Sequence, residues 1–176
     1  MPPELETPRL RLRMFTAADL DAYHQRVYGG ADVMRYMPGG RPRSRDDTER
    51  VLNYFIEYWN DHPLGVWAVI EKGSEEFIGH AGLLYFENQP EDVEVIYALG
   101  KAWWGQGYAS EAARTCLRYG FETARLNRIY ALAFPDNKAS QRVMQKIGMR
   151  CEGLTSRHHN AELVCYSIVQ DEFEIS

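Results

Sequence analysis

The 176-residue chain reads as one α/β domain spanning residues 1–176, a mixed sheet with helices on its faces. Three observations lead there. β-Branched and aromatic runs alternate with amphipathic helical stretches in the order β-α-α-β-β-β-α-β-α-β-β. No repeat, low-complexity tract or break in composition divides the chain. Its length suits a single hydrophobic core without disulfide or metal support.

The elements follow in order. Arg9 to Phe15 alternates arginine with apolar residues, a strand with one wet face. Thr16 is placed to cap a helix that runs to about Tyr28 and stops at Gly29-Gly30. A loop carrying Pro38, Gly39, Gly40 and Pro42 leads to a helix from Ser44 to Trp59, with Val51, Leu52, Phe55 and Trp59 at helical spacing. Val66 to Ile70 and Phe77 to Phe86 form an antiparallel pair across a turn at Lys72-Gly73-Ser74, and a further strand runs from about Val93 to Leu99. The loop from Gly100 to Gly107 then opens a helix from Tyr108 to about Arg125, striped by Ala109, Ala112, Ala113, Cys116, Leu117, Gly120, Phe121 and Ala124. Arg128 to Phe134 is a strand. Pro135-Asp136-Asn137 caps a helix ending before Gly148. Met149 to Arg157 and Ala161 to Asp171 close the chain as a hairpin with His158-His159 at its tip.

Bulk properties narrow the partners. The formal net charge of −5, with no basic stripe, argues against nucleic acid and permits a cationic substrate. Cys116, Cys151 and Cys165 lack the spacing of a disulfide framework or a zinc site, and read as buried free thiols. Successive strand residues face opposite ways, so His158 and His159 make no metal pair, and no metal is expected. The start of the chain has no apolar run behind a basic segment, and no stretch reaches membrane-span length. A cytoplasmic protein that enters no membrane is the expectation.

Chemistry concentrates in Ala102-Trp103-Trp104-Gly105-Gln106-Gly107-Tyr108-Ala109-Ser110-Glu111-Ala112. A strand ends, glycines follow, and an alanine-rich helix begins. Such a junction presents unpaired main-chain N–H groups at the positive end of a helix dipole, which suits a pyrophosphate. Glycine lets the backbone approach the ligand where a Cβ would collide. Taken alone, the stretch serves equally as an ordinary glycine-rich turn. Neither G-x-G-x-x-G after the first strand nor G-x-x-x-x-G-K-[ST] occurs, which sets aside the common dinucleotide and nucleotide loops.

In these motifs the chain resembles the GNAT superfamily of N-acetyltransferases. The superfamily's coenzyme motif, Q/R-x-x-G-x-G/A, reads here Trp104-Gly105-Gln106-Gly107-Tyr108-Ala109. Trp104 stands where Gln or Arg is usual, a departure typical of the RimJ/RimL-type branch. Thr7-Pro8-Arg9-Leu10-Arg11-Leu12-Arg13 is similar to that branch's opening strand, and Ile78-Gly79-His80-Ala81-Gly82-Leu83 to its third. Pro135-Asp136-Asn137-Lys138-Ala139-Ser140 with Lys146-Ile147-Gly148-Met149 is similar to its N-x-x-S…K-x-G-F block, with Met149 for Phe.

The resemblance implies a mixed, mostly antiparallel sheet of about seven strands, splayed between its fourth and fifth, with about four flanking helices. It implies acetyl-CoA as coenzyme and a primary amine as acceptor, either a protein N-terminus or a small molecule such as a polyamine, amino acid or antibiotic. A module that binds acyl-CoA without catalysis is the further alternative. A monomer or homodimer fits. The pantetheine arm would run beside the main chain of Tyr97, Ala98 and Leu99, as an added strand does. The pyrophosphate would meet Trp104, Gly105, Gln106, Gly107, Tyr108, Ala109 and Ser110, and Asn137 would bond the amide end or simply cap its helix.

Acetyl transfer to an amine needs the amine deprotonated, from a pKa of about 10.4 in a lysine-like case, and a proton for the leaving thiolate, of pKa about 8.5. Glu94 is the candidate base, on the strand face shared by Ile96 and Ala98; a solvated strand glutamate is the plain alternative. Ser140 is the candidate proton donor to sulfur or a first-turn helix cap, and Tyr97 is its substitute. Many relatives place a tyrosine where this chain has Met144, which has no proton to give. Arg35, Tyr36, Tyr54 and Tyr58 are candidate acceptor-site lining, since the first two helices roof that side in similar proteins. His80 is either a further substrate-site residue or a packed core histidine. Glu87, Glu91, Asp92 and Glu94 either draw an amine or form a solvated turn.

Overall fold

The computed structural model describes residues 2–156 and 161–173. Its eight strands form one sheet: β1 (Leu5–Glu6), β2 (Leu10–Arg13), β3 (Val66–Glu71), β4 (Glu76–Phe86), β5 (Gln89–Leu99), β6 (Arg128–Ala133), β7 (Arg150–Thr155) and β8 (Leu163–Val169). Spatial order is β1-β2-β3-β4-β5-β6-β8-β7, and all neighbours run antiparallel except β5 and β6. Five α-helices flank it: α1 (Leu20–Tyr23), α2 (Ala31–Met34), α3 (Arg45–Asp61), α4 (Tyr108–Glu122) and α5 (Lys138–Lys146).

The expected architecture holds, with local differences. The extra strand is β1, whose length of two residues gives no alternation to read. The helix expected from Thr16 to Tyr28 is segmented: a 3-10 turn at Ala17–Asp19, then α1, then a π turn at His24–Tyr28 closed by Gly29 N–H donating to His24 O. Gly29-Gly30 ends that run, but four more residues wind into α2. The acidic segment expected as a turn narrows to residues 87–88, so Glu91, Asp92 and Glu94 all belong to β5. Cys151 is exposed on β7, against the expectation of burial; Cys116 and Cys165 are buried. The hairpin tip at His158-His159 lies outside the described residues.

Two apolar layers sandwich the sheet. On one face α4 and α5 lay Ala112, Ala113, Cys116, Leu117 and Phe121 against Val93, Val95, Leu99, Ile129 and Ala131. The other face carries α1 to α3, with Tyr23, Leu52 and Phe55 packed on Val66, Ala68 and Ala98. Period-two alternation divides β5 between these layers: odd-numbered Val93, Val95 and Leu99 face α4, while Ile96 and Ala98 face α3. Glu94 therefore points to the α1–α3 side and Tyr97 to the α4–α5 side. Tight packing of β4 on β5 requires Gly79, where φ is +151° and a Cβ would stand 2.2 Å from the carbonyl oxygen of Ala98.

The parallel neighbours β5 and β6 pair at Glu94 and Tyr130. Among the described residues no ladder joins Val95–Leu99 to β6, so the two strands diverge towards their C-terminal ends. The splay expected from the resemblance falls at this boundary.

Candidate active site

At the C-terminal end of β5 the chain turns through Gly100 and a 3-10 turn at Lys101–Trp103 into the glycine loop. Trp104 anchors that loop, because its indole N–H donates to Leu99 O at 2.7 Å. Gly105 has φ +75°, and Gly107, the N-cap of α4, has φ +83°. This left-handed geometry suits glycine and strains any residue with a Cβ. Glu111 carries the earliest α4 amide with a main-chain partner, Gly107 O at 3.0 Å. The amides of Tyr108, Ala109 and Ser110 before it have no intrahelical acceptor and lie at the positive end of the helix dipole. No side chain of the described residues fills the space above Gly105. At Gly107 a Cβ would stand 3.4 Å from Arg9 Nη2 and 3.9 Å from Lys146 Nζ, so two cations flank the turn. A diphosphate fits this arrangement on both dipole and charge.

The strand edge next to the loop narrows the expected main-chain contacts. In a strand, successive residues send their N–H and C=O groups to opposite edges. Gly100 N–H donates to Ile78 O, and Ala98 O lies against Gly79, so both belong to the β4 edge. Ala98 is corrected accordingly: its carbonyl is turned towards β4. Tyr97 and Leu99 present theirs to the gap. Leu99 O is taken by Trp104, which leaves the Tyr97 main chain as the principal open pairing point for an extended arm.

On the α4–α5 side of the gap, Asn137 Oδ1 caps α5 by accepting Ser140 N–H at 3.1 Å. Its Nδ2 makes no hydrogen bond among the described residues and remains a donor. Tyr97 Oη lies 2.9 Å from Ser140 Oγ and 3.2 Å from Ser140 O. Burial pushes the Tyr97 phenol well above its ordinary pKa, so it stays protonated. Met144 is buried in the α4–α5 layer.

The opposite side of the gap is an open trough of about 300 Å³ on the uncovered faces of β6, β8 and β7, lined by Arg128, Tyr130, Glu152, Leu154, Thr155 and Cys165. Glu94 adjoins it, beside Tyr130. Glu152 accepts Ser167 Oγ–H at 2.5 Å. Burial first, then the Glu152 and Glu94 carboxylates, push the Cys165 thiol up to about 11.

The expected acceptor residues separate. Arg35 caps the C-terminal end of α2 beside Tyr36 and lies 3.5 Å from Asp136, which brings α2 over the loop leading to Asn137. Tyr54 is exposed on α3. Tyr58 is buried and its hydroxyl accepts Tyr85 N–H at 3.0 Å, a structural tie rather than a free contact. His80 is corrected: it is 2% exposed among Tyr23, Tyr28 and Phe55, its Nδ1 lies 2.9 Å from Tyr23 Oη, and burial lowers its pKa to about 3. A neutral imidazole sealed in the core reaches no substrate. Sequence reasoning missed Arg9, Glu111, Lys146 and the trough. One signal was available: a glutamate in the first turn of an anion-binding helix opposes the ligand's charge and calls for a cation beside it.

Residues 9–150 match the family model described as an acetyltransferase (GNAT) domain. The uncharacterised protein YkkB of Bacillus subtilis (strain 168) is 34% identical over 165 residues, 93% of this chain and 94% of that one. The crystal structure of a GNAT-family acetyltransferase from Bacillus anthracis superposes with a TM-score of 0.82 at 32% identity, covering 97% of this chain and 100% of that one. The [ribosomal protein uS5]-alanine N-acetyltransferase of Escherichia coli (strain K12) is 35% identical over 141 residues, 61% of this chain and 72% of the relative.

Proposed function

Because the chain belongs to the GNAT family of acetyltransferases, an acetyl-CoA-dependent N-acetyltransferase, we propose that its acceptor is the terminal amine of a protein chain, acetylated by direct attack in a ternary complex. The observation that carries the choice of acceptor is the trough beside Glu94. Its volume of about 300 Å³, open to solvent along β6, β8 and β7, supports an acceptor larger than a single small amine, with the amine directed towards Glu94. Glu152 in its lining and Glu94 beside it, set against the cation Arg128, favour a cationic end group. The relative that acetylates an alanine of ribosomal protein uS5 supports the same reading.

When bound, acetyl-CoA supplies the activated acetyl group on its thiol. The amides of Tyr108, Ala109 and Ser110 would hold its diphosphate, and the main chain of Tyr97 and Nδ2 of Asn137 would hold its arm. Glu94, directly or through a water, accepts the proton that the ammonium must lose. On the other face of β5, Tyr97 and Ser140 share a hydrogen bond. With Tyr97 donating to Ser140 Oγ, the serine proton is free to turn to sulfur. A main-chain N–H group at the gap would polarise the carbonyl.

Mass spectrometry of a panel of peptides and small amines incubated with enzyme and acetyl-CoA tests the acceptor. Acetylation of peptide N-termini is expected. Modification of small amines alone would overturn that choice, and binding without thiol release on any acceptor would overturn catalysis.

A further inference from the structure

The opening segment of the chain reaches the first turn of α4 across 102 residues of sequence. Arg9 Nε donates to Glu111 Oε2 at 2.7 Å, and its Nη2 lies 2.6 Å from the same oxygen. Its Nη1 donates to Gln106 O at 2.9 Å, and its guanidinium lies 4.3 Å from the centre of the Tyr108 ring. Glu111 Oε1 accepts Thr7 Oγ1–H at 2.5 Å and Arg9 N–H at 3.1 Å. One side chain thus grips the glycine turn at Gln106, Tyr108 and Glu111.

We propose that Arg9 is a positioning residue for the coenzyme's diphosphate: it fixes the turn through the Gln106 carbonyl and cancels the charge of Glu111. The inference rests on the reading of Gly105–Ser110 as the phosphate site. Its first half follows from peptide geometry. A trans peptide points its C=O and N–H in opposite directions, so holding Gln106 O fixes the direction of Gly107 N–H. Gly107 on one side of that peptide offers little resistance to its rotation, and the other tie on Gln106 among the described residues is its side-chain Nε2, which donates to Ala102 O at 2.9 Å. The second half is electrostatic. Glu111 is largely shielded from solvent, and its pKa is lowered despite burial because Thr7 and Arg9 bond it, so it is charged at neutral pH. An unpaired carboxylate one turn from a diphosphate would repel it. The Arg9 side chain makes a hydrogen bond and a close ion-pair contact to that carboxylate and a hydrogen bond to the turn at once, which the single ammonium of a lysine cannot reproduce. Lys146 Nζ, beside the same glycine, makes no hydrogen bond or ion pair among the described residues and is left to meet phosphate directly.

Calorimetric titration of the full chain with CoA, and competition by S-acetylpantetheine, which lacks the diphosphate, test the proposal. Arg9→Ala is expected to raise the CoA Kd at least tenfold and leave acetylpantetheine binding within twofold. Arg9→Lys is expected to recover only part of the loss. Unchanged CoA affinity, equal losses for both ligands, or full recovery with lysine would each overturn it. Melting curves without ligand establish that each variant is folded. If Arg9→Ala does not fold, Glu111→Gln with Arg9 retained replaces it: with the opposing carboxylate gone and Arg9 still on Gln106 O, CoA is expected to bind more tightly and acetylpantetheine equally well, and no change or a loss of CoA affinity refutes the coupling. Gly107→Asp separates the failures. If that variant binds CoA normally, the phosphate site itself is misplaced; if it does not while Arg9→Ala does, only the role of Arg9 falls.

Discussion

The hydroxyls of Tyr97 on β5 and Ser140 on α5 lie 2.9 Å apart, joining the strand at the gap to the helix beside it. Because they share a proton-bearing contact, their loss should not add. Tyr97→Phe and Ser140→Ala are each expected to lower kcat by roughly tenfold to a hundredfold, and the double variant by little more than the worse single one. Steady-state kinetics on the cycle of variants checks this. Additive losses would show that the two groups act separately.

Glu94→Gln is expected to lower kcat/KM by roughly a hundredfold near neutral pH and by progressively less as the pH approaches the amine's own pKa. The direction follows from what a base supplies. At low pH nearly all acceptor is ammonium and needs help to lose its proton, whereas a solvated amine provides its own free fraction as pH rises. A pH–rate profile parallel to the parent's would remove Glu94 from the role.

Gly107→Asp places a Cβ and a negative charge in a turn at φ +83°, at the proposed diphosphate site. CoA affinity should fall by about a hundredfold or more, with backbone strain of about 1–2 kcal/mol contributing to stability loss. Gly107→Ala carries the strain without the charge and should lose less affinity. Calorimetry on both variants separates the two effects.

His80 makes acid stability specific. Burial lowers its folded pKa to about 3 from 6.5, so between those values the unfolded chain binds a proton that the folded chain refuses. The stabilisation is complete above the unfolded pKa and declines as pH falls towards 3, at up to about 1.4 kcal/mol per pH unit. His80→Gln, which offers Tyr23 an amide partner, should flatten the parent's slope in this window. Urea unfolding at several pH values is the measurement, and equal slopes would mean that His80 titrates normally.

Local signals carried much of this molecule. The α4 stripe from Ala109 to Phe121 is periodic, Asn137 sits where a cap belongs, and the glycines at 105 and 107 mark a turn that strains other residues. Alternation along β5 also placed Glu94 with Ile96 and Ala98. What sequence could not supply were relations between distant segments. Nothing local tells that Arg9 meets Glu111, that Trp104 turns back on Leu99 O, or that Tyr23 closes over His80. β1 is too short to have a period, and α2 follows a glycine pair that is a sound stop signal for the helix before it. Ala98 was misassigned because alternation decides main-chain direction as well as side-chain face, and the neighbour that takes each edge is a tertiary fact.

The meeting of β5 and β6 at Glu94 and Tyr130 has a mechanical corollary. With a single bridging pair between the two halves of the sheet among the described residues, the join is carried by packing: Val95 and Leu99 share one apolar layer with Ile129 and Ala131 under α4. Glu94, the proposed base, therefore stands where the two strands are closest, and the space for an extended ligand widens from it towards their C-terminal ends.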